Sequence, residues 1–508
     1  MIPVNDVLNH NKEKFELLTK YSEKKYGQSK FKDSIFYAHA AASFAWSNHP
    51  GSFYSQRLEN VLSSIGTNKI EKLSLPYIKI PTNSKINILH VASYLHDTGG
   101  HTRALLRWIE NTSDFCNNLV VLTLDQIMEP FVKSEFLRLG VKVLLLTRNG
   151  KNILNLASSL RAISNKWPDY IILHTHPDDV IPQLAYSYFE GPPVLLFNHA
   201  DHVFWIGSSI SDLVLSIRMN GISLSQERRN TSKNSILPLP LKSRNFTQRK
   251  YTKEKLGLDG KEVVVSMASD YKYTPWKEYN FSFFFETFLK NRSNTTLVVV
   301  GVTKNGNLKN LQRKFPTRVI LVAPTPSIDD FLNSADVYVD SFPLSSLTSS
   351  LDVAMRGIPV LGVKNKLIPI FNSDDPAFVN FKNNWSSLEQ LSEKIEYFLD
   401  NKDIGNEIGL KMQTEVVKAH TGENWNETLR NILKNTKRNT AIAQQFTDRE
   451  NTYDTEIAEF FSNRMHKEAL TYRTYETLKT FSYLHLGASV GSTVENMSKR
   501  VRAVKFSK

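Results

Sequence analysis

Two trains of short apolar runs constrain this chain more than any other feature. INILHVASYL, NLVVLTLD, VKVLLLT, YIILHTH, PVLLFNHA and LVLSIR follow one another from Ile86. EVVVSMASD, TLVVVGV, RVILVAP, DVYVDSF and IPVLGV repeat the texture from Glu262. Each run is almost continuously hydrophobic, which reads as a strand buried on both faces, and a stretch long enough for a helix separates it from the next. The expected class is α/β: two Rossmann-like, doubly wound domains facing a cleft. The boundaries read as a helical N-terminal segment over 1–82, a first α/β domain over 83–240, a second over 241–400, and C-terminal helices with a basic tail over 401–508. SILPLPLKSRNF, Ser235 to Phe246, reads as the linker between the two domains.

Charge and cysteine content narrow the class further. The formal net charge is +13, and it is clustered. Nine basic residues and one acid lie between Arg228 and Lys255, and the last ten residues hold five cations and no acid. Such clusters fit a small anionic ligand or weak contact with an acidic membrane face. Nucleic acid is not expected, because no zinc finger, homeodomain or RNP aromatic signature is present. The single cysteine, Cys116, allows no intrachain disulfide and points to a reducing, cytoplasmic setting. No apolar run approaches the ~18 residues of a membrane span.

Chemistry concentrates at strand ends. In DSFPLSSLTSSLDVAMRGIPVLG, Asp340 to Gly362, a strand breaks at FP and a helix starts in a hydroxyl-rich turn. Thr348, Ser349 and Ser350 at that helix start can donate to a phosphate, and Asp352 one turn later can accept from ribose hydroxyls. A plain N-cap, with Asp352 favouring the helix dipole, also accounts for these residues. SMASDYKYTP places Lys272 just after the first strand of the second domain. In the first domain, DTGGHTR puts Asp97, Gly99, Gly100 and His101 between a strand and a helix beginning near Thr102. NHADHVFW carries His199, Asp201 and His202, and HTHPDD carries His174 to Asp179, each after a strand. The HTHPDD spacing lacks a helical i,i+4 pair or a cysteine, so no metal is expected.

Strand, FP, hydroxyl-rich turn, acid and M-x-G-x-PV resemble the nucleotide-sugar half of GT-B glycosyltransferases. The segment is similar to family 4 enzymes and to the protein O-linked N-acetylglucosamine transferase family. In family 4 a glutamate pair is spaced E-x7-E; here Asp352 stands at the second position and Leu344 at the first. Thr348, Ser349 and Asp352 match the threonine pair and aspartate of the second family, with Leu347 in place of its histidine. Lys272 falls on the lysine of that family's Y-K-x-x-P turn, which contacts the donor diphosphate.

The resemblance implies transfer of a sugar from a nucleotide-diphosphate donor, UDP-linked, to a hydroxyl acceptor, with inversion and without a metal or other cofactor. It implies Lys272, Thr348, Ser349 and Ser350 on the diphosphate and Asp352 on the ribose. The first-domain loop would face the cleft, with His101 first and Asp97 in reserve for acceptor activation. Gly99, Gly100, His199, Asp201 and His202 would bind the acceptor, a glycan, a lipid-linked glycan or a protein. A nucleotide-sugar 2-epimerase, or a non-catalytic binding protein of the same fold, is the alternative.

Overall fold

The computed structural model describes residues 4–73, 83–97, 100–124, 128–146, 152–231, 233–242, 249–303, 305–325, 327–381, 384–439, 446, 448 and 451–462. Two parallel sheets organise it. The first contains β1 (Ile86–Ala92), β2 (Cys116–Leu122), β3 (Lys142–Leu145), β4 (Tyr170–His174), β5 (Val194–Asn198), β6 (Leu213–Ser216) and β7 (Asn234–Ile236), in the order β3-β2-β1-β4-β5-β6-β7. The second contains β8 (Glu262–Met267), β9 (Thr295–Val300), β10 (Val319–Val322), β11 (Val337–Val339), β12 (Val360–Val363) and β13 (Asn384–Trp385), in the order β10-β9-β8-β11-β12-β13. All of the paired strands are parallel, as the continuous apolar runs require. Strand order reverses direction between β1 and β4 in one sheet and between β8 and β11 in the other, and those switch points are where doubly wound sheets bind ligands.

Helices cover both faces. A helical flank, α1 (Val4–Gly27), α2 (Phe31–Ser47) and α3 (Gln56–Lys69), precedes the first sheet. The first lobe adds α4 (Gly100–Thr112), α5 (Pro130–Arg138), α6 (Ile153–Ser164), α7 (Val180–Tyr186) and α8 (Met219–Arg228). The second adds α9 (Arg249–Lys255), α10 (Phe281–Asn291), α11 (Lys309–Lys314), α12 (Asp329–Asn333) and α13 (Leu347–Ala354), then α14 (Leu388–Asp400), α15 (Lys402–His420) and α16 (Gly422–Asn435). A further helical stretch occupies 453–462.

The flank does not stand apart. Phe15, Ile35, Ala41, Leu58 and Ile65 share one core with Leu89, Val91 and Ile171 of the first sheet. A second core runs from Ile88 and Ile172 through Leu237, Leu239 and Leu241 to Val263 and Val265. The part of the linker that carries Leu237, Leu239 and Leu241 is therefore buried and joins the lobes. Several of the charges around it pair with acids: Lys242 with Glu110, Lys253 with Asp336, Lys255 with Asp330, and Arg228 with Asp448 and Asp454. These pairs reduce the positive potential that the stretch would offer an anion. After α15, α16 crosses back to the first lobe, where Trp425 meets Trp108 of α4 edge-on at 5.5 Å.

Candidate functional site

The second-lobe half of the cleft is built around Asp340. Strand β11 delivers this carboxylate, buried, to the switch point. Its Oδ1 accepts from the Ser341 and Ser346 N–H groups at 2.8 and 2.9 Å, which folds the intervening turn and sets the start of α13. Burial raises its pKa, and the nearby Lys272 charge is the strongest opposing influence. Lys272 sits in a short 3-10 turn, Asp270–Tyr273, and its Nζ donates to the Ser345 carbonyl at 2.7 Å. Asp270 clips the turn to the next loop by accepting from Asn307 N. Gly301 is required there: its φ is +92°, and a Cβ would lie 2.7 Å from the Ala268 carbonyl.

Helix α13 starts without a side-chain cap. The Ser346 hydroxyl engages Ser349 Oγ at 3.0 Å instead of the helix backbone. Thr348 is half-buried, Ser349 and Ser350 are buried, and all three lie in the first turn. An uncapped helix start lined by hydroxyls can take an anion.

The first-lobe half faces it directly. Helix α4 begins at Gly100, two residues before the expected start, and Gly99 lies outside the described residues. A Cβ added to Gly100 would sit 3.2 Å from Thr348 Oγ1, so the starts of α4 and α13 meet across the cleft. Two turns along, Arg107 Nη2 donates to Asp352 Oδ1 at 3.0 Å, with both side chains only 14% exposed. Asp352, expected to meet ribose, thus carries an ion pair between lobes. Arg107 and Asp340 escaped the sequence reading, since nothing local marks a partner 245 residues away.

His101, itself half-buried, joins an imidazole cluster in which His90 and His174 are buried, and neighbours fix the tautomers. His90 Nε2 donates to Asn118 Oδ1 at 3.0 Å, so its bare Nδ1 accepts from His174 Nε2 at 3.0 Å. His101 Nε2 donates to the His174 carbonyl at 2.8 Å, which leaves Nδ1 as its only basic nitrogen. The His101 ring stacks on His199 at 4.3 Å. Burial, then the His199 charge, holds the His101 pKa well below its usual value; burial brings His199 to about 4. Both rings are neutral at pH 7.

Two expected residues are committed elsewhere. Asp97 accepts from the Phe131 and Val132 N–H groups at 3.2 and 3.0 Å and so caps α5, while its own N–H donates to Glu129. That cap ties up both carboxylate oxygens of the reserve base. Asp201 is buried and bound through both oxygens by Arg218, at 2.5 and 2.7 Å, so it has no free face for an acceptor. Burial favours its neutral form, but the Arg218 charge prevails and keeps it ionised. Arg218 also donates to the Ile370 and Asn372 carbonyls of the other lobe. His202 stays beside Asp201 at 3.4 Å, partly exposed, with burial lowering its pKa. Phe204 and Trp205 are core residues, and the Arg229 guanidinium covers the Trp205 ring at 4.9 Å. Among the described residues no cluster of three or more His, Cys, Asp or Glu could hold a metal ion, and no helix is long and apolar enough to cross a membrane.

Paired sheets of the same strand order, with switch points opposed across one cleft and a last helix returning to the first lobe, define the architecture. The fold is GT-B. Solved structures agree with it. Anabaena HepE, crystallised with UDP and glucose, superposes with a TM-score of 0.54 at 13% identity, over 69% of this chain and 100% of HepE. A glycosyltransferase from Rickettsia africae gives 0.52 at 15% identity, over 69% and 98%. A single-residue mutant of S. aureus TarM, crystallised with fondaparinux, α-GlcNAc-glycerol and UDP, gives 0.52 at 10% identity, over 68% and 99%. Neither a protein-family model nor a curated protein matches the sequence.

Proposed function

We propose that this GT-B chain is a glycosyltransferase that moves a sugar from a UDP-linked donor to a hydroxyl acceptor, with inversion and without a metal. The meeting of two helix starts, Gly100 of α4 and Thr348 of α13, carries the reading. Both ends are positive poles, so bringing them together is unfavourable unless an anion lies between them. Lys272 adds a full positive charge on the same side. A diphosphate supplies the anion this arrangement fits, and HepE and TarM have been crystallised with UDP.

In this reading Lys272, Thr348, Ser349 and Ser350 hold the diphosphate, and Asp352 orients the ribose through the oxygen that Arg107 leaves open. His101 Nδ1 takes the proton of the acceptor hydroxyl as its oxygen attacks the anomeric carbon. The bond from that carbon to the β-phosphate oxygen breaks, and its electron pair stays on the diphosphate. Charge grows there during the step, so fixed cations and N–H groups lower the barrier. His199 and His202 line the acceptor side. Leu344, buried at 3% exposure, presents no carboxylate to the sugar, which supports a mechanism without a second-lobe nucleophile.

Calorimetry with UDP, followed by UDP-release assays over a set of UDP-sugars, tests this. Binding in the micromolar range and release with one donor are expected. UDP binding without release from any donor would favour a binding protein; no UDP binding would sink the assignment.

A further inference from the structure

The helical flank contributes to the same cleft. Trp46, in the last turn of α2, sets its ring edge-on to His176 at 4.5 Å. Tyr94, from the loop after β1, lies 5.4 Å from the same imidazole and 5.0 Å from His96. Trp46, Tyr94 and His176 are half-buried, so each keeps an exposed surface. His176 Nδ1 is hydrogen-bonded to the Asp178 carboxylate, and His39 of α2 contacts the Asp178 carbonyl at 2.9 Å. These contacts fasten α2 to the loop after β4, at the carboxyl edge of the first sheet, where His101 of α4 also lies.

A small cavity continues from this patch. His176 and His199 both line it, together with Asn198 and Trp205. Asn198 Oδ1 and Trp205 Nε1 are buried without a hydrogen-bond partner among the described residues. Buried polar groups left unmatched beside a cavity with room for about one water are usually satisfied by that water.

We propose that Trp46, Tyr94 and His176 form a subsite for a saccharide acceptor, one sugar ring lying on the aromatic surfaces while its hydroxyls meet the His176–Asp178 pair at the mouth of the Asn198–Trp205 cavity. A sugar has an apolar C–H face and a polar rim, which matches aromatic surfaces bordered by an imidazole and a carboxylate. An acyl chain would strip water from the His176–Asp178 pair and return no hydrogen bonds. The His101–His199 stack adjoins the cavity through His199, so a sugar seated here presents a hydroxyl toward the proposed base. This inference rests on the glycosyltransferase reading for the identity of the reaction, but the subsite itself is independent of the donor.

The test is binding of the full-length protein to a printed array of defined oligosaccharides, with and without UDP, alongside UDP calorimetry. Wild type is expected to retain at least one oligosaccharide class. Trp46→Ala and Tyr94→Ala should each lose that signal tenfold or more, and Trp46→Phe should keep most of it, while UDP affinity changes less than twofold in all three. Because Trp46 also packs against neighbouring core, Tyr94→Ala and Trp46→Phe separate recognition from folding. Undiminished glycan retention in both alanine variants would overturn the proposal, as would a wild type that binds no printed glycan. Trp46-dependent glycan binding by a protein that ignores UDP would uphold the subsite and remove the donor assignment instead.

Discussion

Arg107 and Asp352 join the two lobes of this protein through a 3.0 Å hydrogen-bonded ion pair between helices α4 and α13. The pair does two things. It holds the helix starts at Gly100 and Thr348 in register, and it fixes one Asp352 oxygen while leaving the other to accept. Arg107→Ala is therefore expected to weaken UDP binding about tenfold, or ~1.4 kcal/mol. Calorimetry measures this, with scattering to detect an opened cleft. Asp352→Asn should weaken binding to a similar degree, and the double variant should show little further loss, since coupled residues are not additive. Full additivity would mean that the bridge and the donor site are separate.

The neutral imidazoles set the acid limit of the protein. His90 and His199 have pKa values of about 4, lowered chiefly by burial. An unfolded histidine titrates near 6.5, so below that pH the unfolded state binds more protons than the folded one. Their stabilising contribution is complete above pH ~6.5 and falls as pH drops toward 4, by about 3 kcal/mol for each ring. His101 shifts in the same direction. Turnover should stay level from pH 8 to 6.5 and fall only in more acidic buffer. His101→Gln should reduce kcat by about 100-fold or more while UDP affinity is retained. An acid limb centred at pH 6.5 or above would contradict a half-buried, neutral base.

Lys272 and Asp340 form the electrostatic centre of the second lobe. Lys272→Met removes the cation that most favours ionised Asp340, so the raised pKa of that carboxylate should rise further. The variant is expected to lose about 2 kcal/mol of stability, within the range for uncompensating a buried charge. UDP affinity should fall at least tenfold. Adding Asp340→Asn should return much of the stability, because the unpaired carboxylate is gone, without returning UDP affinity. Thermal denaturation and calorimetry on the three proteins separate the effects. Equal recovery of both properties would show that Lys272 acts only through Asp340.

The sheets were legible because burial on both faces leaves an uninterrupted apolar run, as in Val263 to Val265 or Ile171 to Leu173. The turn around Lys272 and the start of α13 were legible as local structure, because a proline and a run of small hydroxyl residues mark where a strand ends and the next element opens. Pairings over long separations were not. Asp97 and Asp201 look alike in the sequence, each an acid in a polar loop after a strand. Only the fold shows that one caps α5 and the other serves Arg218. Short β7 and β13 escaped because two or three residues carry no periodicity. The same limit hid the assembly of the N-terminal flank with residues 446, 448 and 451–462.

Asp454 ties that assembly together. It is fully buried and accepts from His49 Nε2 at 2.9 Å and from Arg228 Nη2 at 3.1 Å. From there 453–462 reaches the second lobe, where Phe460 meets Phe371 at 5.0 Å and Glu456 pairs with Lys277. Burial opposes ionisation of Asp454, but His49 and then Arg228 outweigh it, so its pKa is lowered. A lowered carboxylate pKa contributes stability above the unfolded value near 3.9 and loses it as pH falls below that. Asp454→Asn should therefore cost about 3 kcal/mol at pH 7 and progressively less toward pH 3. Denaturation at pH 7 and at pH 3.5 gives the comparison, and limited proteolysis at pH 7 should release the C-terminal segment sooner from the variant. A cost that is the same at both pH values would show that packing of 453–462, and not the ion pair, fastens the C-terminal segment across the lobes.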